Sequence, residues 1–422
     1  MLKFIFRSKW LLCLTFSLIS LAVHAQNFQT IEIDALRDKY GYSPYIESLA
    51  YENNKLFVGV GGSNTYGAIH SYLLTGGQWQ RQTSILSIQN PSFDLALLGD
   101  KLLLKNGWLI APNTSGYNDC VYIYQNNDVL LQPNGSLCAP QKPVFLLNPS
   151  VAMDNNLLFY ANPASWRSNS DKGEIGVYQL KKNKWALTTT LKNIANPHAW
   201  NFGNSLVAEG GQVIASGIED GPDTSAGWGV LYVFEHTKNR WTQTAKLSHP
   251  KGIRASFGAE SLSLSGNTLV ATGTEESVDF KKHAYVFEKQ QGEWKYQQEI
   301  FVPDAMPAPQ NWSFYKVSVK NNYLLACLTL LKGDEQALWL YRKTDSIWKP
   351  IKKLSNRVND AYKSGCSPFF IDEEMVMFTA IEKFGFVTEL RKHPADVQDE
   401  MRKANPGKAG MVFIARLKDI EQ

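Results

Sequence analysis

Hydrophobic and polar positions alternate along this chain as short apolar runs that pair across turn dipeptides. Asn53-Asn54, Asn155-Asn156, Gly210-Gly211, Gly266-Asn267 and Asn321-Asn322 each separate two such runs, and from Asn155 the steps between turns are 55, 56 and 55 residues. Asn and Gly tolerate the positive φ that two-residue hairpin turns require. Gly99-Asp100 and Glu373-Glu374 extend the series at weaker positions. The flanking runs, nearly continuous in Val, Leu and Ala, read as strands covered on both faces.

A second register follows the first. Trp185, Trp241, Trp294 and Trp348 are spaced 56, 53 and 54 residues apart, and Trp79 lies 106 before Trp185, two periods with one member missing. Each Trp follows a strand-like run ending in an aromatic, as in Leu231-Tyr232-Val233-Phe234 and Ala284-Tyr285-Val286-Phe287. Each repeat thus holds four strands: A and B around the Asn/Gly turn, C ending in Tyr or Phe, and D opening with Trp. Repeated four-stranded antiparallel units with aromatics at fixed places are the mark of propeller blades. The expected fold is all-β, a seven-bladed β-propeller with blades near 45–89, 93–139, 148–194, 202–250, 257–303, 314–356 and 368–417. The last blade has no D strand of its own, and Phe28 to Ile33 resembles the strand that opens with Trp79. The N-terminal strand is therefore expected to complete the last blade and close the ring, removing an exposed edge.

Phe202-Gly203-Asn204-Ser205-Leu206-Val207 and Phe257-Gly258-Ala259-Glu260-Ser261-Leu262 both run on into the Gly turn, the Tyr-Val-Phe strand and the Trp. On these residues the chain resembles the FG-GAP repeat family, the propeller type of integrin α-subunit heads and many bacterial exported proteins. Members of that family often carry a calcium loop of the Asp-x-Asp-x-Asp-Gly kind, which this sequence lacks. Glu219-Asp220-Gly221-Pro222-Asp223 is acidic but without alternating oxygen ligands, and reads as a solvated turn. No metal and no cofactor is expected.

The ends change the picture in one respect. Lys3, Arg7 and Lys9 precede an apolar stretch from Trp10 to Val23, and Val23-His24-Ala25 offers small residues for cleavage before Gln26. Residues 1–25 are read as an export signal, which leaves 26–422 as a single domain in the periplasm or the medium. Removing it takes the charge from 43 Lys+Arg to 40, against 39 Asp+Glu, so no basic patch argues for nucleic acid. No other stretch reaches the ~20 apolar residues of a membrane span. An insertion at about 386–409 contains Asp396 to Lys403, a short helix with opposite charges four apart.

Candidate chemistry is sparse. The histidines after the signal (His70, His198, His236, His249, His283, His393) are scattered over different strands, and Gly-x-Ser-x-Gly and His-x-x-x-His do not occur. A carboxylate pair for glycan hydrolysis leaves no local spacing, so a glycan-acting enzyme stays open as the alternative to a binding protein. Cys120 opens strand C of the second blade and Cys138 follows its strand D, so a hairpin brings them together as a disulfide in the blade that lacks its Trp. Cys327 reads as a buried free thiol, with a pair to Cys366 as the other option.

Strand order adds the location of function. The A-to-B and C-to-D turns are short and share one end of the blades, while the long D-to-A and B-to-C connections share the other. Trp200 and Trp312 fall in D-to-A connections, Trp166 (followed by Arg167) and Trp228 in B-to-C connections, and Tyr117 in the corresponding loop of the second blade. Trp is favoured at interaction hot spots and as a platform for sugars, so these residues form the candidate binding surface for a protein or carbohydrate partner of a monomeric chain. The competing reading is that the tryptophans, Trp200 and Trp312 above all, plug loops onto the blade tops.

Overall fold

The computed structural model describes residues 29–34, 45–61, 67–86, 101–112, 120–126, 131–138, 150–162, 173–193, 201–220, 226–253, 255–275, 281–332, 335–354, 362–364, 369–370, 375–382 and 408–421. Strand β1 (Gln29–Asp34) stands first. Six antiparallel meanders follow. The first is β2 (Tyr45–Glu52), β3 (Lys55–Gly61), β4 (Ala68–Thr75) and β5 (Gln78–Leu86); the second is β6 (Leu103–Lys105), β7 (Trp108–Pro112), β8 (Cys120–Asn126) and β9 (Leu131–Cys138). The third is β10 (Ser150–Asp154), β11 (Leu157–Asn162), β12 (Glu174–Lys181) and β13 (Lys184–Leu191); the fourth is β14 (Leu206–Glu209), β15 (Gln212–Asp220), β16 (Ala226–Thr237) and β17 (Arg240–Ser248). The fifth is β18 (Ala255–Ser265), β19 (Thr268–Glu275), β20 (Lys282–Gln290) and β21 (Glu293–Ile300); the sixth is β22 (Trp312–Lys320), β23 (Tyr323–Leu330), β24 (Gln336–Thr344) and β25 (Ile347–Leu354). The chain ends in β26 (Tyr362–Ser364), β27 (Phe369–Phe370), β28 (Met375–Glu382), β29 (Lys408–Arg416) and a one-turn helix α1 (Leu417–Glu421).

In this terminal sheet β26 and β27 pair with β28, β28 with β29, and β29 with β1, Gln29 opposite Ile414. The first described strand thus pairs at the edge of the last sheet, beside β29. A single parallel bridge, Trp228 to Ala255, joins the fourth and fifth meanders into one eight-stranded sheet.

The turns follow from residue chemistry. Asn53, Asn54, Asn155 and Asn321 have φ between 49° and 64°, as a two-residue hairpin demands. One expectation is corrected: the A-to-B turn of the second meander is Asn106-Gly107, not Gly99-Asp100. Asn-Gly is the stronger signal for such a turn, and it carries the required φ of 54° and 76°. Glu373-Glu374 lies outside the described residues, as do residues 1–25 and the insertion at 386–409. In all six meanders the C-to-D ladder shifts register at one place, just before the last aromatic of strand C, and Trp241, Trp294 and Trp348 stand two pairs beyond it. Leu131 takes the Trp position in the second meander, opposite Asn126 as Trp241 is opposite His236.

Alternate residues of each strand enter different cores, which is why the runs are nearly continuously apolar. Val213 and Ala215 of β15 pack with Phe159 of the third meander, whereas Ile214 packs with Leu269 and Tyr285 of the fifth. Every consecutive pair of meanders shares one such cluster. Two more join the terminal sheet to the sixth meander and to the first. The two Phe-Gly pairs serve this packing. Phe202 and Phe257 are fully buried, a gain of about 1.5–3 kcal/mol each. Gly203 and Gly258 follow at φ 91° and 69°, where a Cβ would stand 2.5 Å from Ala161 Cβ and 2.3 Å from a methyl of Leu231.

Cys120 faces Cys138 across the β8–β9 ladder. Cys327 is buried in β23. Cys366 lies outside the described residues.

Candidate functional site

The two ends of the meanders differ in how their polar groups are used. At the A-to-B end the last side chain of strand A ties down the next meander's turn. Glu52 accepts from the N–H groups of Asn106 (2.6 Å) and Gly107 (2.7 Å), Asp154 from Gly211 (2.7 Å), and Glu209 from Gly266 (2.6 Å). Ser265 does the same for Asn321 at 3.1 Å. These bonds occupy turn donors and fix one sheet against the next.

At the other end, where B-to-C and D-to-A connections emerge, two polar networks stand at equivalent places. In the fourth meander Tyr232 O–H donates to Glu219 Oε1 (2.6 Å), and Lys246 Nζ lies 3.0 Å from Glu219 Oε2. Burial and the adjacent Glu219 carboxylate push the Tyr232 hydroxyl well above the usual phenol range. The acid is matched by one ammonium.

The fifth meander repeats the frame with different chemistry. Tyr285 O–H donates to Glu275 Oε1 at 2.8 Å. Tyr285 is paired in the ladder with Glu299, as Tyr232 is with Lys246, so a second acid replaces the cation. The cation comes instead from Lys251, whose Nζ lies 2.6 Å from Glu275 Oε1 and 3.3 Å from Glu299 Oε2. His283 Nδ1 is 2.5 Å from Glu299 Oε1. Lys251 is delivered by the turn His249-Pro250-Lys251-Gly252, closed by a bond from Gly252 N–H to His249 C=O (2.9 Å), with Pro250 presetting φ.

Burial drives the electrostatics here. Desolvation lowers the pKa of His249 to about 4, partly opposed by Glu275, and also lowers that of His283, against the pull of Glu299. Burial pushes the Glu275 carboxyl up, but hydrogen bonds from Lys251 and Tyr285 more than reverse this and leave it below its ordinary value. Lys251 is displaced upward: desolvation pulls it down, and the bonds to Glu275 and Glu299 outweigh that. His249 is 4% exposed, and its Nε2 is buried with no hydrogen-bond partner. Glu275, His283 and Glu299 each offer a ligand atom within 4.8 Å of the others.

A third feature of this end is exposed aromatic surface. Tyr315 is the residue left out of the β22–β23 ladder where the register jumps from Phe314 to Lys316, so the bulge turns its side chain outward. Lys282 and Lys316 place ammonium groups 5.6 and 5.5 Å from its ring centroid. Phe301, 66% exposed in the connection leading to the sixth meander, and Leu331 are exposed at the same end.

Of the residues singled out from sequence, Tyr117, Trp166, Arg167 and Trp200 lie outside the described residues. Trp228 is half-buried at the start of β16, opposite Glu219 in the ladder and bridged to Ala255, beside both networks. Trp312 is corrected: it is buried in the core between the fifth and sixth meanders, and its Nε1–H is spent on Pro307 C=O at 3.0 Å. It plugs its connection down. His249, Lys251, Glu275, His283, Glu299 and Tyr315 were not singled out as a site. The signal that existed was a repeat-to-repeat difference, Glu299 where the fourth repeat has Lys246.

No protein-family model matches the chain, and no curated protein matches it. Among solved structures, the WD40 repeats of RRP9 match 92% of this chain and 100% of that one, at 11% identity and a TM-score of 0.52. The propeller domain of the Trilobed protease from Pyrococcus furiosus matches 80% of this chain and 89% of its own, at 9% identity and a TM-score of 0.46. The periplasmic gluconolactonase PpgL of Pseudomonas aeruginosa matches 78% and 95%, at 13% identity and a TM-score of 0.46. With the meanders described above, the first likeness shows the fold, a β-propeller.

Proposed function

We propose that this chain is an exported, seven-bladed β-propeller of the FG-GAP type that binds a protein or glycan partner through the end bearing its long connections. The count of seven and the closure are supported by the six meanders plus the terminal sheet, by the β1–β29 ladder, and by the core cluster between the terminal sheet and the first meander. Export rests on the sequence of residues 1–25. The disulfides are proposed as Cys120–Cys138 and Cys327–Cys366, which peptide mapping without reduction will recover as two linked pairs.

The observation that carries the binding reading is the exposure of Phe301, Tyr315 and Leu331 at the end bearing the long connections, with two lysines against the Tyr315 ring. Exposed aromatics beside cations are the material of interaction hot spots and of sugar platforms. The test is a glycan array together with site-specific photo-crosslinking from position 315, run on the wild type and on Phe301→Ala/Tyr315→Ala. A ligand that the folded double variant loses supports the reading. A ligand that both forms bind equally places recognition elsewhere, and no ligand with either method removes it.

A glycan-acting enzyme is the second reading, favoured by one observation: Glu275 and Glu299 converge on a single ammonium. Turnover of any glycan substrate that Glu275→Gln abolishes would replace the first reading with this one.

A further inference from the structure

We propose that Glu275, His283 and Glu299, all of the fifth meander, form a binding site for one divalent transition-metal cation, best matched by Zn2+. The fourth meander sets the standard for comparison. Its Tyr232–Glu219–Lys246 network has one acid, one ammonium and one phenol, and every one of these groups has a partner. Nothing is left over for a ligand.

The fifth meander keeps that minimum in Tyr285, Glu275 and Lys251, then adds Glu299, His283 and His249. Two carboxylates now face one ammonium, a net negative charge in a partly buried place. The three potential ligand atoms lie within 4.8 Å of one another. Bonds of about 2.0–2.2 Å to a tetrahedral Zn2+ bring ligand atoms roughly 3.3–3.5 Å apart, a contraction that side-chain torsions supply. One imidazole with two carboxylates is a mixed nitrogen–oxygen set, which selects Zn2+ or a neighbouring transition ion over Ca2+ or Mg2+. Three protein ligands leave a coordination position open to water.

A second observation points to the same place independently. His249 is 4% exposed, accepts the Lys251 N–H at Nδ1 (3.3 Å), and leaves Nε2 buried without a partner. Its Cδ2, the ring carbon bonded to Nε2, would lie 3.4 Å from a Cβ on Gly273, and Gly273 is the ladder partner of His283. A metal-bound water there would satisfy an imidazole nitrogen that the fold otherwise buries at a cost of about 1–3 kcal/mol. Lys251 is the competitor. Its side chain, 42% exposed, sits on the 249–252 turn and can swing to solvent as the metal enters.

The experiment uses the full chain, stripped with a chelator and titrated with Co2+ followed by its visible absorption, and with Zn2+ by calorimetry. One equivalent is expected to bind, with Glu299→Gln and His283→Gln each weakening it at least about tenfold and His249→Gln weakening it about 10–100-fold through the lost water contact. Lys251→Met is expected to bind more tightly, because no ammonium has to be displaced. Circular dichroism establishes that each variant is folded, and the Lys251→Met arm keeps the idea exposed if a ligand variant does not fold. No saturable binding, binding indifferent to His283→Gln and Glu299→Gln, or weaker binding by Lys251→Met overturns the site.

Discussion

The polar networks of the fourth and fifth meanders share a frame and differ in what fills it. Both use a Glu at the end of strand B, a Tyr in strand C that donates to it, and the strand D residue paired with that Tyr. In the fourth meander the strand D residue is Lys246, and acid and base cancel within one sheet. In the fifth it is Glu299, and the balancing ammonium is imported on the preceding turn as Lys251. A network needed only for packing is complete with three groups. The fifth has six, and one of them, His249, has a buried nitrogen with nothing to bond. A departure from a repeat's own minimum is therefore a better guide to function than polarity alone.

What the two meanders share gives the largest expected effect. Phe202 and Phe257 each plug the junction with the preceding sheet, so Phe202→Ala and Phe257→Ala are each expected to cost about 3–5 kcal/mol in urea unfolding. Equal losses confirm that the shared frame is packing. A small loss at either would show that its junction is held by something other than the Phe-Gly pair.

That frame was readable from the sequence because it is local. Two-residue Asn/Gly turns, alternation across strands and the recurring Trp each act within about ten residues. At the second turn the stronger local signal decides: Asn106-Gly107, 53 residues after Asn53, is a better hairpin dipeptide than Gly99-Asp100. The side chains that tie one turn to the next were also visible, as Glu52, Asp154, Glu209 and Ser265 each directly precede a turn dipeptide. The candidate site was not readable. Its groups come from a turn and three strands, 249 to 299, and only the ladder shows that Lys246 and Glu299 hold one position. Trp312 was misplaced for a related reason: a Trp opening an inner strand and a Trp on a loop look alike until burial is known.

Acid separates the two networks at the next size of effect. His249 is held neutral in the fold with a pKa of about 4, among Glu275, Glu299, Lys251 and His283, while in the unfolded chain it titrates near its ordinary value. The folded pKa is the lower one, so this contribution is present above about pH 6.5 and is lost as pH falls toward 4, up to about 3 kcal/mol. His283, also lowered, acts in the same direction. His249→Gln is expected to flatten the fall in stability between pH 6.5 and 4 measured by urea midpoints. An unchanged slope would mean that the imidazole is not desolvated as the fold implies.

The smallest effect discriminates most. Glu219→Met leaves the buried Tyr232 hydroxyl without its acceptor and strands Lys246, and is expected to cost about 2–3 kcal/mol. Glu299→Met leaves Tyr285 bonded to Glu275 and Lys251 paired with Glu275, and withdraws a partner from His283 and the second of Lys251's two acids. It also removes the uncompensated charge, so its cost is expected to stay below about 1 kcal/mol. The asymmetry follows from what each carboxylate does in the fold: Glu219 closes a three-membered network, while Glu299 is an addition to one already closed. Equal costs in chemical denaturation would show instead that Glu299 is as necessary to packing as Glu219. The fifth meander would then be a variant of the same structural device, with its extra acid retained for stability.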